Sequence, residues 1–175
     1  LSLAFLLSKN KLEDKKKIIG ITSDKNIKFL SKIKFYDTVL SYDNAEEKLN
    51  TSKSIIVDFA GNSDYLKKLS DYLADSLKYV SLIGLADWSS KTNFKSIPNS
   101  KFFFAPNHAE KRYRKMGVKK TTLLAEDLLK EFIMQIKHDI KLKYFNDPKE
   151  LHELYLKSLK GKIDPSKGYM VQLSN

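Results

Sequence analysis

The chain has 175 residues, of which 42% are hydrophobic and 30% charged, and its formal net charge is +11 at pH 7. This length and apolar content suffice for one domain with a buried core and a short appendage. The absence of cysteine excludes disulfides, thiolate zinc sites and cysteine nucleophiles from these residues, and a reducing, cytoplasmic location is expected.

The basic excess is almost entirely lysine, because Arg112 and Arg114 are the only arginines. Nucleic-acid recognition favours the planar arginine fork, and no segment gathers the lysines onto one face with interleaved aromatic residues. A nucleic-acid partner is therefore disfavoured. The charge is interpreted as a solvated lysine surface.

The apolar residues of the first segment, 1–12, would cover one face of a helix. Its opening, Leu1–Leu7, is too short to span a membrane and lacks the basic flank and cleavage site of a signal peptide. Neither a membrane anchor nor a membrane partner is predicted. Because the chain starts apolar and without a methionine, it is interpreted as a C-terminal fragment that begins within a helix.

Five apolar runs predict buried parallel strands, because a strand covered by helices on both faces is continuously apolar rather than alternating. These runs are Lys17–Ser23, Thr38–Tyr42, Ser54–Asn62, Tyr79–Leu85 and Lys101–Pro106. The third of them stops abruptly at a small, polar corner. Such a corner is typical of a strand that ends at a ligand cleft.

Helical patterns lie between several of these strands. Capping residues at Thr22–Asn26 precede apolar residues at helical spacing, Ala45–Leu49 fits a short helix, and Ser63 or Asp64 is predicted to cap the next helix. The alternation of strand and helix indicates βαβ units and an α/β fold with a parallel sheet.

Helices dominate the last third of the chain. A long apolar face predicts a helix from about Thr122 to Lys143. Asp147 is the predicted N-cap of a second helix that starts at Pro148 and ends at Gly161. The alternating segment 169–173 is a predicted strand that need not belong to the same sheet.

Open α/β sheets bind ligands beyond the carboxyl ends of their strands, so the candidate residues lie there. Asp58 interrupts an apolar strand, and because a buried carboxylate is costly unless paired, a capping or loop-tethering role is favoured over catalysis. His108 is interpreted as a helix-start residue. The cluster Lys111–Lys115 is interpreted as a solvated helix face, with phosphate binding as the less favoured alternative.

Ser89–Thr92 has the polar end of a phosphate-binding loop but not its glycines, and it is discounted. No Ser-His-Asp arrangement, carboxylate dyad or metal cluster is predicted from the residue spacing.

Four segments, Ile18–Phe29, Tyr36–Tyr42, Ile56–Asn62 and Val80–Leu85, resemble the second to fifth strand regions of the cofactor domain of medium-chain, quinone-oxidoreductase-like dehydrogenases and reductases. More narrowly, the chain resembles the domain-of-unknown-function 2855 family across nearly its whole length. The motifs that carry this resemblance are Thr-Ser-x-x-Asn, Tyr-Asp-x-Val, Val-Asp-Phe-Ala-Gly-Asn and Phe-Phe-Ala-Pro.

The resemblance implies a Rossmann-like parallel sheet with flanking helices and the strand order 3-2-1-4-5-6, whose first strand and glycine-rich turn are missing. Residues 1–146 would form a partial dinucleotide-binding domain. Residues 147–175 would add a helix and a strand that return toward an N-terminal substrate domain, also missing.

The resemblance further implies a nicotinamide dinucleotide along the strand ends. The acid that usually holds the ribose hydroxyls is replaced by hydroxyl, amide and ammonium donors after the first strand, which tilts the expectation toward NADP. The predicted cofactor-binding residues are Thr22, Ser23, Lys25, Asn26, Tyr42, Ala60, Gly61, Asn62, Ile83, Gly84, Leu85, Phe104 and Ala105.

The implied activity is the NADP(H)-linked reduction of a carbonyl, enone or quinone-type substrate. The expected partners are the dinucleotide and a small-molecule substrate, and a homo-oligomer stays open. No catalytic residue is named, because a catalytic acid would come from the missing N-terminal part. The alternative is a Rossmann-type ligand-binding or interaction module without turnover.

Overall fold

The computed structural model describes residues 1–10, 16–49, 53–84 and 97–172. They form two compact units, one of Leu1–Ala45 with Thr122–Asn175 and one of Glu46–Thr121. Both units contain parallel strands and helices, so the chain has a mixed α/β fold. No helix within the described ranges has the length and apolar character needed to cross a membrane.

The first unit opens with alternating helices and strands. Its elements are α1 (Ser2–Lys9), β1 (Ile19–Thr22), α2 (Asp24–Leu30) and β2 (Thr38–Ser41), followed by α3 (Ala45–Lys48) where the two units meet in sequence. β1 and β2 pair in parallel, from Ile19 opposite Thr38 to Thr22 opposite Ser41. The predicted strands and helices of this region are confirmed.

The core of the first unit is built around aromatic rings. Phe5 of α1 lies 5.4 Å from Phe35 and 5.5 Å from Phe132, measured between ring centroids. Ala4, Ile33 and Ile136 complete the buried cluster. Tilted ring pairs at this distance add packing energy to the burial of apolar surface.

The C-terminal part of the first unit differs from the predicted long helix. Helix α6 (Val118–Ile136) ends seven residues before the predicted end, and β6 (Lys141–Phe145) follows it. The alternating residues of β6 suit a strand, and β6 pairs in parallel with β7 (Lys167–Val171). The prediction of a helix to Lys143 is therefore wrong.

The predicted ends of α7 (Pro148–Leu159) are confirmed. Asp147 accepts a hydrogen bond from the Lys149 backbone N–H at 2.9 Å, as an N-cap does. Gly161 has a φ of 61°. The backbone N–H groups of Gly161 and Lys162 donate to the carbonyls of Ser158 and Lys157, which is a complete Schellman motif.

The second unit is a three-stranded parallel sheet with helices. Its elements are β3 (Ser54–Asp58), α4 (Ser63–Leu73), a short 3₁₀ turn (Ala74–Ser76), β4 (Leu77–Leu82), β5 (Ser100–Phe102) and α5 (Ala105–Met116), with the strands in the order β3-β4-β5. Leu66, Leu69 and Leu73 of α4 are buried, as are Val80 and Leu82 of β4.

The predicted N-cap of α4 is wrong. Asn62 accepts a hydrogen bond from the Tyr65 backbone N–H, so neither Ser63 nor Asp64 is the cap. The asparagine was overlooked because two further capping residues follow it. The observed strand neighbours are β1-β2 and β3-β4-β5. In the predicted Rossmann-like order 3-2-1-4-5-6, strands two and three are neighbours, and so are strands four, five and six. The observed pairs agree with that order.

Candidate functional site

The predicted site residues fall at two strand ends, one in each unit, and each is described by itself. The β1 corner comprises Thr22, Ser23, Lys25, Asn26 and Tyr42. The Tyr42 backbone N–H donates to the Thr22 carbonyl at 3.0 Å, and the Asn26 side-chain amide donates to the Thr22 hydroxyl at 3.3 Å. Hydrogen bonds therefore join the carboxyl ends of β1 and β2 at this corner.

Ser23 and Lys25 present polar groups at the β1 corner. Ser23 is the N-cap of α2, but its hydroxyl makes no capping hydrogen bond. The Lys25 ammonium donates to the Gly161 carbonyl at 3.1 Å, at the C-terminal end of α7. Because that end of a helix carries partial negative charge, it favours the lysine cation there.

Asp24 also belongs to the β1 corner, and the sequence argument passed over it. It is the first residue of α2, and it is exposed. Its carboxylate can accept hydrogen bonds from ribose hydroxyls and repels a phosphate. The signal that reveals it is an acid within two residues of a strand end, so the corner contains an anionic group beside the expected donors.

The second site, the β3 corner, gathers the ends of all three strands in the second unit. The Asp58 carbonyl accepts from the backbone N–H groups of Ile83 at 2.9 Å and Gly84 at 3.2 Å. The Leu82 carbonyl accepts from the Phe103 backbone N–H at 2.8 Å. The structure thereby brings together three groups of predicted site residues, namely Ala60 to Asn62, Ile83 with Gly84, and Phe104 with Ala105.

Asp58 tethers the loop at this corner, as the sequence predicts. Its carboxylate accepts from the backbone N–H groups of Ala60 at 3.0 Å and Gly61 at 3.1 Å. Partial burial raises the pKa of Asp58, and these two hydrogen bonds oppose the rise. The amides of Ala60 and Gly61 are thus already engaged by a carboxylate.

Only glycine fits at position 84, for a steric reason. A Cβ added there would lie 2.0 Å from the Phe59 carbonyl oxygen, far inside any normal contact. The backbones at the ends of β3 and β4 can approach this closely only because residue 84 has no side chain. The neighbouring predicted residue, Leu85, lies outside the described residues.

Three phenylalanines, Phe59, Phe103 and Phe104, follow the strand ends at the β3 corner. Phe59 is 52% exposed and Phe104, the N-cap of α5, is 53% exposed. His108 lies in the first turn of α5, as predicted, and its ring stacks on Phe103 with centroids 4.4 Å apart. Phe59 was not among the predicted site residues, because it continues an apolar run that reads as buried strand.

A family model with the description "Protein of unknown function (DUF2855)" matches residues 1–164. The chain belongs to the DUF2855 family. No curated protein and no solved structure matches it. Since membership of this family brings no activity with it, the function of the DUF2855 chain has to be argued from the two corners.

The remaining candidate groups of the DUF2855 chain are metal ligands and the basic cluster of α5. Within the described ranges, no group of three or more His, Asp or Glu residues is placed to hold a metal ion. The basic cluster Lys111–Lys115 is on α5 and faces solvent, and Arg114 pairs with Glu110 one turn earlier at 2.6 Å.

Proposed function

We propose that this DUF2855 chain is the cofactor-binding part of a nicotinamide-dependent oxidoreductase of medium-chain dehydrogenase type, with NADP(H) as its preferred cofactor. The β1 corner is the observation that carries the proposal. There, hydroxyl, amide and ammonium groups stand at the carboxyl end of a parallel strand that leads directly into a helix. This is the place where Rossmann-like folds hold the adenosine ribose.

The donors of the β1 corner suit a phosphate on that ribose. Lys25 contributes a positive charge, and the Ser23 hydroxyl is not used for capping. A hydrogen bond between charged groups contributes about 1.5–3 kcal/mol. Lys25 is exposed, so the lower end of that range applies, which corresponds to roughly a tenfold difference in affinity. Asp24 opposes this preference.

The β3 corner offers a different kind of binding surface. Since Asp58 already occupies the amides of Ala60 and Gly61, the loop backbone is a poor phosphate cradle. The exposed rings of Phe59 and Phe104 instead offer apolar faces to a planar group such as a nicotinamide. Taken by itself, the β3 corner thus suits a planar apolar group better than a phosphate.

Under this proposal, a bound nicotinamide supplies hydride for the reduction of a carbonyl, enone or quinone-type substrate. The described residues of the chain bind and orient the cofactor. No proton donor to the substrate is assigned among them. The proposal therefore concerns cofactor binding first and turnover second.

Cofactor binding is tested by calorimetric titration of the protein with NADPH and with NADH. Lys25→Gln should weaken NADPH binding about tenfold and leave NADH binding unchanged. Lys28→Gln, which removes another exposed lysine from α2, is the matched control and should leave both unchanged. Equal affinities of the wild-type protein for NADPH and NADH would contradict the NADP preference, and binding of neither would contradict the proposal.

Turnover is tested separately, by NADPH oxidation in the presence of a quinone and enone panel. Oxidation that depends on substrate supports the oxidoreductase. Tight NADPH binding without any oxidation would favour the alternative, a Rossmann-type binding module that does not catalyse a reaction.

A further inference from the structure

A small cavity in the first unit is lined by none of the residues assigned to the cofactor. It has a volume of about 230 Å³ and lies between β6, α7, β7 and the segment that joins α7 to β7. Four lysines line it, Lys143, Lys157, Lys162 and Lys167. We call it the β6–α7 cavity.

The positive charge of the β6–α7 cavity is only partly compensated. Its lining includes the carboxylates of Glu150 and Glu153. Glu153 pairs with Lys157 at the long distance of 3.7 Å, whereas Lys162 has no ion pair among the described residues. All four lysines are exposed, and a small anion bound among them would be attracted to each of their positive charges.

Two of the lysines are held in place by their neighbours. The Lys143 ammonium lies 4.6 Å from the centroid of the Phe145 ring, which is only 5% exposed. Lys167 pairs with Asp164 at 3.0 Å, and Asp164 also accepts from the backbone N–H and hydroxyl of Ser166. Because these contacts already restrict the two side chains, the lysines would lose less conformational entropy on binding a ligand.

Part of the remaining wall of the cavity is formed by two aromatic residues that contact each other. The rings of Phe145 and Tyr169 are 6.0 Å apart between centroids. The Tyr169 hydroxyl accepts a hydrogen bond from the Asp164 backbone N–H at 3.2 Å. An organic group attached to an anion would therefore meet an ordered surface beside the lysines.

We propose that the β6–α7 cavity binds a small anion that carries a phosphate group, either phosphate itself or a compact phosphate monoester. A doubly charged anion matches several ammonium groups better than a carboxylate does. The volume of about 230 Å³ is below the range of about 300–1,000 Å³ typical of drug-sized ligands, which excludes a dinucleotide. The proposal is independent of the nicotinamide-binding proposal.

The test is a titration of the whole chain with inorganic phosphate, at constant low ionic strength, followed by amide chemical shifts in NMR spectra. Saturable shifts are expected in β6, the C-terminal turn of α7 and β7. Lys162→Gln should weaken binding at least about fivefold. Lys160→Gln removes an exposed lysine two residues away that does not line the cavity, and it should leave the affinity within about twofold.

Two further measurements keep the result unambiguous. Lys143→Gln, on β6, should weaken binding like Lys162→Gln, while Lys28→Gln should not, because Lys28 is on α2 and does not line the cavity. Phenyl phosphate distinguishes a monoester site, which would bind it more tightly than phosphate, from a site for the free ion. Shifts that do not saturate, or equal losses in Lys160→Gln and Lys162→Gln, would overturn the proposal.

Discussion

Substitution of Gly84 by alanine gives the sharpest test of the second unit. The added Cβ would lie 2.0 Å from the carbonyl oxygen of Phe59, 2.8 Å from its carbonyl carbon and 3.0 Å from its Cα. All three atoms belong to the backbone, so no side-chain rotation relieves the clash. The ends of β3 and β4 would have to separate, which strains the hydrogen bonds from Ile83 and Gly84 to Asp58.

The expected cost follows from this geometry. Extra atoms in a closely packed site usually cost about 1–3 kcal/mol, and a clash with rigid backbone puts Gly84→Ala at the upper end, about 3 kcal/mol. For a chain of this size, each kcal/mol lowers the melting temperature by about 2–4 °C. Thermal unfolding followed by circular dichroism should therefore shift by about 6–12 °C.

Gly20→Ala is the matched control for this prediction. Its added Cβ would lie 2.9 Å from the Tyr36 ring, which is a side chain and can shift. We expect a cost of about 1 kcal/mol, at the low end of the overpacking range. If Gly84→Ala and Gly20→Ala unfolded at the same temperature, the close backbone approach at the β3 corner would be refuted.

Three further predictions concern single residues. Partial burial raises the pKa of Asp58, so the folded state holds its proton more tightly and loses stability as the pH rises above the ordinary value of 3.8; urea unfolding of Asp58→Asn between pH 4 and 7 should not show this loss. Hydrogen bonds from Ser166 and Lys167 lower the pKa of Asp164 to about 2, so its stabilising effect is present above pH 3.8 and disappears as the pH falls toward 2. In Asp164→Asn, the melting temperature should therefore fall less between pH 3.8 and pH 2 than in the wild-type protein. An equal fall in both proteins would contradict the assignment. Gly161→Ala should cost about 1 kcal/mol in urea unfolding, because alanine rarely adopts a φ of 61°, and Gly161→Asn should cost less.

Local signals explain the parts of the fold that could be predicted. The ends of α7 follow from Asp147, Pro148 and Gly161, whose effects act within one helical turn. The end of α6 was missed because Ile140 continues the helical spacing of apolar residues. The competing signal, the alternation in β6, gains its stability from pairing with β7, which is distant in sequence.

The candidate site was predicted where it depends on topology and missed where it depends on atomic contacts. Parallel strands place their carboxyl ends at one edge, so the grouping at the β3 corner followed from the pattern. Asp58 accepts hydrogen bonds from the backbone N–H groups of Ala60 and Gly61, so these donors are not available to a ligand. The spacing of residues in the sequence does not indicate these hydrogen bonds. Asp24 was visible in the sequence but was set aside in favour of its basic and polar neighbours.

These contacts change which groups can hold a phosphate. A Rossmann-like site commonly relies on backbone N–H groups at a strand-to-helix turn. At the β3 corner a carboxylate already occupies two such groups, and a phosphate there would have to displace Asp58 and would meet its charge. At the β1 corner, by contrast, the Ser23 hydroxyl makes no capping hydrogen bond, and the Lys25 ammonium donates to a neutral carbonyl. Under the proposed function, recognition of the ribose phosphate would therefore come from side chains at the β1 corner, where the Asp24 carboxylate opposes the Lys25 ammonium.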